Sequence, residues 1–108
     1  MTADHKYFDN LIDTVETIPT ESIVSRTIFQ NDQVKVIMFA FAPGQELSEH
    51  TASVAAMIQI LQGTCSLILG ENTYSAGPGS WAYLPPNTKH SLKAQTQIHM
   101  LLIMMQEK

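Results

Sequence analysis

Apolar residues along the chain cluster in short β-rich runs that turn residues interrupt roughly every eight to twelve positions. This spacing is typical of a β-sandwich or a β-barrel. The predicted strands are residues 22–29, 34–41, 54–61, 64–69, 73–75, 80–84, 90–94 and 97–105, with one more extended segment leading to residue 50. The connections are too short for crossover helices, which excludes a parallel α/β fold. The pattern therefore predicts an all-β chain.

The start of the chain follows a different pattern, which separates residues 1–20 from a single domain at residues 21–108. Four apolar residues recur there at roughly helical spacing: Phe8, Leu11, Ile12 and Val15. Asp4 is a candidate N-cap, and Pro19 would end a helix because it disfavours helical geometry at the residue before it. The segment is therefore either a short amphipathic helix or a loosely ordered arm.

Composition narrows the class of protein. A chain of 108 residues with 44% hydrophobic and 15% charged residues fits one compact domain. Its net charge of −4 and its six scattered Lys and Arg residues argue against nucleic-acid binding, which needs a basic face. The sequence contains neither a run long enough to cross a bilayer nor a signal-peptide pattern, so we expect a cytoplasmic protein without a membrane partner. The lone Cys65 is interpreted as a small buried apolar residue.

Two histidines carry the candidate chemistry, because each lies beside a predicted strand in a frame of Pro and Gly residues. The first frame runs from Pro43 to Gly63 around His50, and the second runs from Gly77 to His90. The two frames resemble the two sequence motifs of the cupin superfamily, G-x5-H-x-H-x3,4-E-x6-G and G-x5-P-x-G-x2-H-x3-N. In that family a small double-sheet barrel carries a metal on inward-facing histidines.

The chain matches the glycine and proline positions of the two motifs but only part of their metal-binding positions. The motif positions that the chain fills are Gly44, His50, Gly63, Gly79, Pro85 and His90. Ala52 stands at the second histidine position, and Ala56 stands at the glutamate position. The chain therefore resembles a small single-domain bacterial cupin of the conserved-barrel type with an incomplete first motif.

The resemblance covers residues 34–105 and implies a double-stranded β-helix, or jelly-roll barrel, behind a short N-terminal arm. It also implies that His50 and His90 approach each other inside one cavity. Stable metal sites usually offer three or four protein ligands, so we expect at most a weakly held Fe, Mn, Ni or Zn ion there. The alternative is that both histidines are polar pocket groups without a metal.

Strand alternation predicts which side chains surround these histidines. We expect an apolar pocket formed by Met38, Ser48, Ala52, Ala56, Ile58 and Ile60. Gln59 falls on the opposite face of its strand and reaches the site only through a bulge. His99 is interpreted as a core or interface residue rather than a third ligand, and His5 as solvent-exposed.

Two aromatic residues and three methionines could each lie either in the core or at another site. Trp81 and Tyr83 share one strand face and are either core residues, which we favour, or a pocket lid. The methionines near the end of the chain are expected in the core or in a dimer seam. They are Met100, Met104 and Met105.

The sequence supports several functions and does not decide whether the protein is an enzyme. The favoured hypothesis is a homodimeric cupin that binds a small organic ligand in an apolar pocket without an efficient catalytic metal. The alternative is a metal-dependent isomerase, lyase or dioxygenase acting on a sugar acid or a similar small oxygenated compound. A weaker third hypothesis is a sensory module. We expect the homodimer to pair through residues 22–29, since an exposed strand edge is prone to association.

Overall fold

The computed structural model describes residues 4–106, which form nine β-strands and one short 3-10 helix. The strands are β1 (Ile23–Gln30), β2 (Val34–Phe41), β3 (Glu46–His50), β4 (Ala56–Gln62), β5 (Cys65–Leu69), β6 (Asn72–Ala76), β7 (Trp81–Leu84), β8 (His90–Ala94) and β9 (Ile98–Met105). Every predicted run of apolar residues corresponds to one of these strands. The predicted all-β fold is confirmed.

The strands form two antiparallel sheets. The larger sheet has the order β1-β2-β9-β4-β7 and the smaller has the order β3-β8-β5-β6. Because side chains alternate across each strand, one face of each sheet contributes to a shared apolar core. The buried residues of this core are Phe41, Ile58, Ile60, Cys65, Leu67, Ala76, Leu84, Leu92, Ala94, Ile98 and Met100. This arrangement is the predicted jelly roll.

The larger sheet is apolar on both faces, because the N-terminal segment covers its outer face. Val15 is buried there together with Met38, Ala40 and Leu101, and Leu11 packs against the same cluster. We predicted Met38 as a pocket wall, and that prediction is wrong. In β2 the residues that pack against the inner core are Phe39 and Phe41, so alternation turns Met38 outward.

Of the two alternatives for the N-terminal segment, a short helix or a loosely ordered arm, the helix is reduced to a single 3-10 turn at Leu11–Thr14. Its N-cap is Asn10, whose side-chain oxygen accepts a hydrogen bond from the Ile12 amide at 3.1 Å. Asp4, the predicted N-cap, lies well before this turn. The apolar spacing of the segment therefore reflects packing against the sheet rather than a regular helix.

Two side chains of the larger sheet fasten the segment to it through consecutive carbonyl groups. Arg26 donates from Nη1 to the Thr14 carbonyl at 2.9 Å, and His99 donates from Nε2 to the Val15 carbonyl at 2.9 Å. His99 is 2% exposed, and its Nδ1 has no hydrogen-bond partner among the described residues. His99 is thus a core histidine that holds the N-terminal segment in place, in line with its predicted position.

Replacing His99 with leucine is expected to lower the free energy of unfolding by about 1–2 kcal/mol, because the Val15 carbonyl stays buried without a donor. Leucine also removes the unpaired Nδ1, which keeps the loss moderate. Arg26→Met serves as the comparison. Because Arg26 donates from an exposed position, this substitution is expected to cost less than about 1 kcal/mol. Urea denaturation measures both variants. A His99→Leu protein as stable as the wild type would contradict this role.

Candidate functional site

A β-bulge in β3 determines which of its side chains face the space between the sheets. Leu47 pairs with Leu92 and His50 pairs with His90, so three residue steps in β3 oppose two steps in β8. The extra residue lets both Leu47 and His50 line the same internal cavity, which strict alternation forbids. Ser48, predicted in the pocket by alternation, is exposed and does not line that cavity.

His50 and His90 form a cross-strand pair with ring centroids 4.0 Å apart and ring planes inclined by 59°. Each ring holds a hydrogen bond of 2.9 Å between Nδ1 and the carbonyl two residues earlier, on Ser48 and Thr88 respectively. A carbonyl oxygen only accepts, so each Nδ1 carries the proton and donates it. In the neutral form of either ring, this tautomer leaves the Nε2 atom as an acceptor or a metal ligand.

The cavity beside the histidine pair is small and apolar. Its volume is about 30 Å³. It is lined by Phe39, Leu47, His50, Ile58, Leu67, His90, Ser91, Leu92, Met100 and Leu102. Such a volume holds about one water molecule. Pockets for organic ligands are roughly ten times larger, so an organic molecule reaches the histidines only if the cavity opens into adjoining space.

The remaining predicted pocket residues lie at different distances from this cavity. Ile58 is part of its wall, whereas Ile60 lines a larger cleft beyond it. Ala56 is buried on the same face of β4 as these two isoleucines but belongs to neither lining. Ala52 follows β3 as a half-buried residue whose carbonyl accepts the Asn87 amide at 2.7 Å. Alternation thus places Ala56, Ile58 and Ile60 on one face of β4, although Ala56 lines neither cavity, and the bulge between Leu47 and His50 breaks the alternation at Ser48.

The larger cleft has a volume of about 450 Å³ and lies where the edge strands β6 and β7 of the two sheets face each other. Its lining consists of Ile58, Ile60, Leu67, Leu69, Tyr74, Ser75, Ala76, Ser80, Trp81, Ala82 and Tyr83. Ile58 and Leu67 also line the histidine cavity, so these two side chains separate the two spaces.

Trp81 and Tyr83 are exposed residues of the edge strand β7 rather than core residues. Their register partners are Gln59 and Met57, so their side chains lie on the outer face of the larger sheet. They are 60% and 54% exposed, so the favoured core interpretation is wrong. Both belong to an edge strand, where one flank has no neighbouring strand to cover large side chains. Tyr74, which the sequence analysis did not single out, lines the cleft from β6 opposite the buried Leu67, with 49% of its surface exposed.

The donor set around the histidine pair fits weak metal binding only. Within residues 4–106, no group of three or more His, Cys, Asp or Glu side chains is arranged to hold a metal ion. Gln59 pairs with Trp81 on the outer side of β4, as parity predicted, and His99 points to the N-terminal segment. Two imidazole nitrogens are fewer than the three or four ligands of stable sites.

Comparison with known proteins identifies the family. Residues 37–105, more than half of the chain, match the family profile described as Cupin domain. The chain belongs to the cupin family. No curated protein matches it in sequence. The predicted recognition as a small cupin is thus confirmed.

Several solved structures share this cupin fold. The SPY1581 protein from Streptococcus pyogenes is 24% identical, with a TM-score of 0.79 over 97% of this chain and 94% of the other. A cupin superfamily protein from Desulfitobacterium hafniense is 19% identical, with a TM-score of 0.83 over 95% and 94%. The polyketide cyclase RemF from Streptomyces resistomycificus is 19% identical, with a TM-score of 0.71 over 79% and 66%. Likeness at these identities establishes the fold alone.

Membrane insertion through a helix has no support in this cupin. No helix among residues 4–106 has the length and the apolar character needed to span a membrane.

His90 of this cupin has a lowered pKa. Burial is the main cause, the hydrogen bond to the Thr88 carbonyl opposes it, and the nearby His50 adds to the decrease. His90 is consequently biased toward the neutral form that keeps its Nε2 atom available as an acceptor. Cys65 differs, since burial raises the pKa of its thiol and keeps it protonated and unreactive.

The lowered pKa of His90 predicts a loss of stability in mild acid. Because His90 binds protons more weakly in the folded chain, its contribution is fully present above the unfolded pKa of about 6.5 and is lost as pH falls through the folded pKa. The free energy of unfolding, measured in urea from pH 7.5 to 5, is expected to fall less steeply in His90→Gln than in the wild type. His5→Gln, which changes an exposed histidine, is expected to keep the wild-type slope. Equal slopes in all three proteins would refute the assignment.

Proposed function

We propose that this cupin binds a small organic molecule between its two sheets, with His50 and His90 as hydrogen-bond acceptors at the inner end of the site. The observation that carries this proposal is the histidine pair, since both residues line the apolar cavity while the Nδ1 of each ring is committed to a backbone carbonyl. Two neighbouring acceptors favour a ligand that supplies a hydroxyl or amine donor. Movement of Ile58 or Leu67 would connect this end of the site to the larger cleft.

The metal-dependent enzyme is the alternative function, and one observation favours it. Histidines that ligate metals usually donate their other ring nitrogen to a carbonyl or carboxylate, which is the arrangement of both Nδ1 atoms here. In that case His50 and His90 would hold Fe, Mn, Ni or Zn, with water in the remaining positions. Such an ion supplies Lewis acidity or a hydroxide nucleophile to an isomerase, lyase or dioxygenase.

Zinc titration by calorimetry separates the two functions. A complete structural zinc site has a binding free energy of about 10–16 kcal/mol. Two imidazoles alone are expected to bind Zn²⁺ with a Kd of about 10 µM or weaker. His50→Ala is expected to abolish this binding, and elemental analysis of the purified protein is expected to find little metal. Stoichiometric metal that survives purification would reject the ligand-binding proposal in favour of the enzyme.

Phenol is a suitable probe for the acceptor role, since it combines an apolar ring with one hydroxyl donor. We expect phenol at millimolar concentration to shift the imidazole resonances of His50 and His90 in NMR spectra, and the shift to vanish in His90→Leu. The exposed His5 gives the internal control, because its resonances are expected to stay unchanged. Equal shifts for all histidines would indicate unspecific contact and defeat the proposal.

The homodimer and the cytoplasmic location stay predictions. The position of β1 at the edge of the larger sheet supports pairing of two copies through this strand. Sedimentation at micromolar concentration is expected to give twice the mass of one chain. Thr27→Pro removes a backbone donor from this edge strand and is expected to shift the equilibrium toward single chains. A wild-type protein that sediments as a monomer would contradict the prediction.

A further inference from the structure

Two internal spaces of the barrel share part of their walls. Ile58 and Leu67 line both the cavity of about 30 Å³ beside the histidines and the cleft of about 450 Å³ between β6 and β7. These two side chains are 3% and 5% exposed, so they form a closed apolar partition between the two spaces. Because the partition consists of aliphatic side chains, rotation of either one joins the spaces without breaking a hydrogen bond.

Side chains on the inner faces of both sheets make the depth of the cleft aliphatic. Ala82 pairs with Ile58 across β7 and β4, and Tyr74 pairs with Leu67 across β6 and β5, so each lies on the same face of its sheet as a buried partner. An alkyl ligand loses no hydrogen bond on entering such a depth, and each methylene that it buries is favoured by the hydrophobic effect. The aliphatic residues of the lining are Ile58, Ile60, Leu67, Leu69, Ala76 and Ala82.

Polar groups are distributed unevenly over the two spaces. None of the described residues that line the cleft carries a charge, and its polar side chains are Tyr74, Ser75 and Ser80. The Ser80 hydroxyl already accepts a backbone amide at 3.0 Å. The small cavity, in contrast, is bounded by the imidazoles of His50 and His90 and has room for about one water-sized group. Joined, the two spaces have a narrow end with hydrogen-bond acceptors and a long uncharged remainder.

We propose that the joined spaces bind an unbranched primary alcohol, an inference that rests on the ligand-binding function proposed above. The hydroxyl occupies the small cavity and donates to a histidine Nε2, and the alkyl chain passes between Ile58 and Leu67 into the cleft. A passage opened by rotation of one aliphatic side chain has the width of a methylene chain, so it excludes a ring. A cavity for one water molecule also suits a hydroxyl better than a larger head group.

Two other ligand classes fit the joined spaces less well. A sugar carries hydroxyls around its whole ring, and those that enter the aliphatic depth lose their hydrogen bonds to water without replacement. A fatty acid places a charged carboxylate in the small cavity, where it is removed from water, and it approaches a chain with a net charge of −4. An uncharged head group avoids both costs.

A series of linear alcohols from 1-butanol to 1-octanol, followed by calorimetry at pH 7.5, tests this inference. Each added methylene is expected to strengthen binding about 3- to 4-fold until the cleft is filled. Cyclohexanol has the six carbons of 1-hexanol in a ring, and hexanoate replaces the hydroxyl by a charge. Both are expected to bind about 10-fold or more weakly than 1-hexanol. Equal or tighter binding of either compound, or no binding of 1-octanol at millimolar concentration, would overturn the inference.

A substitution that fills the cleft tests the position of the alkyl chain. Ala82→Phe places a ring on the inner face of β7 and is expected to weaken 1-octanol at least about 10-fold more than 1-butanol. Thr73→Phe is the matched control, because Thr73 pairs with the exposed Ile68 and its ring would lie on the outer face of β6. An unchanged alcohol series in Ala82→Phe, or the same change in Thr73→Phe, would reject the cleft as the site of the chain.

His90→Leu distinguishes failure of this inference from failure of the proposed function. It is expected to weaken every alcohol by the same factor, about 3- to 10-fold, and to preserve the gain per methylene. If His90→Leu has no effect while Ala82→Phe flattens the series, the alkyl site in the cleft stands and the acceptor role of the histidines is wrong. If phenol shifts the imidazole resonances in a His90-dependent way but alcohol affinity does not grow with chain length, the cleft inference is wrong and the proposed function stands.

Discussion

Replacing Gly63 with alanine is expected to lower the free energy of unfolding by about 3–5 kcal/mol, enough to unfold a marginal domain. A Cβ at this position would overlap the Gln97 carbonyl oxygen and lie 2.9 Å from the Gln97 carbonyl carbon. These are backbone atoms of the turn before β9, so they do not move aside as a flexible side chain would. Gly63 also has a φ of +90°, which adds about 1–2 kcal/mol of strain for any residue with a Cβ.

Gly79 provides a matched control for this effect. Its φ of +91° is nearly the same, but a Cβ there would meet nothing within 4 Å. Gly79→Ala is therefore expected to cost only the backbone strain, about 1–2 kcal/mol. Urea denaturation of both variants gives the difference, which isolates the contact between Gly63 and Gln97. Losses of equal size would mean that the turn relaxes around the new methyl group and that backbone strain is the whole effect.

These two glycines explain why the resemblance to cupins predicted the fold better than the site. Gly63 closes the first motif at a point where backbone packs on backbone, and Gly79 opens the second motif in a turn that only a residue without a Cβ adopts at low cost. Both requirements come from the path of the chain and are independent of any metal. The fold therefore persists in a sequence that has alanine at two of the four family ligand positions.

Strand positions were predictable because turn residues separate runs of apolar residues at nearly every hairpin. The N-terminal segment was harder to predict. Leu11 and Val15 are spaced as on a helix, yet each contacts the outer face of the larger sheet from a segment with only one 3-10 turn. Spacing reveals which residues become buried, and a neighbouring sheet buries them as well as a helix interface would.

The histidine pair followed from motif spacing, whereas its surroundings depended on features that a periodic pattern does not contain. The bulge between Leu47 and His50 shifts the alternation of β3, which removed Ser48 from the predicted pocket. Trp81 and Tyr83 were misjudged because hydrophobicity alone does not distinguish a central strand from an edge strand.

Restoring the two absent family ligands with Ala52→His and Ala56→Glu is expected to raise Zn²⁺ affinity at least about 100-fold above the wild type. Two imidazoles with available Nε2 atoms are already 4.0 Å apart between ring centroids, and the new side chains would complete a four-ligand set. Without metal, the same variant is expected to lose roughly 3–5 kcal/mol of stability, because Ala56 is only 4% exposed and a carboxylate there is buried without a partner.

Zinc should therefore stabilise the redesigned chain, whereas it should not affect the stability of the wild type. Excess EDTA is expected to leave the melting temperature of the wild type unchanged and to lower that of the redesigned chain, which Zn²⁺ at 100 times its Kd restores by about 2.7 kcal/mol. Ala52→Asn with Ala56→Gln is the control, since it adds similar bulk without the new imidazole and carboxylate. If the redesigned chain binds Zn²⁺ no more tightly than the wild type, then positions 52 and 56 lie outside ligand distance of the histidine pair. The bulge in β3 would then have moved positions 52 and 56 away from the histidine pair, so that ligands restored there could not reach the metal.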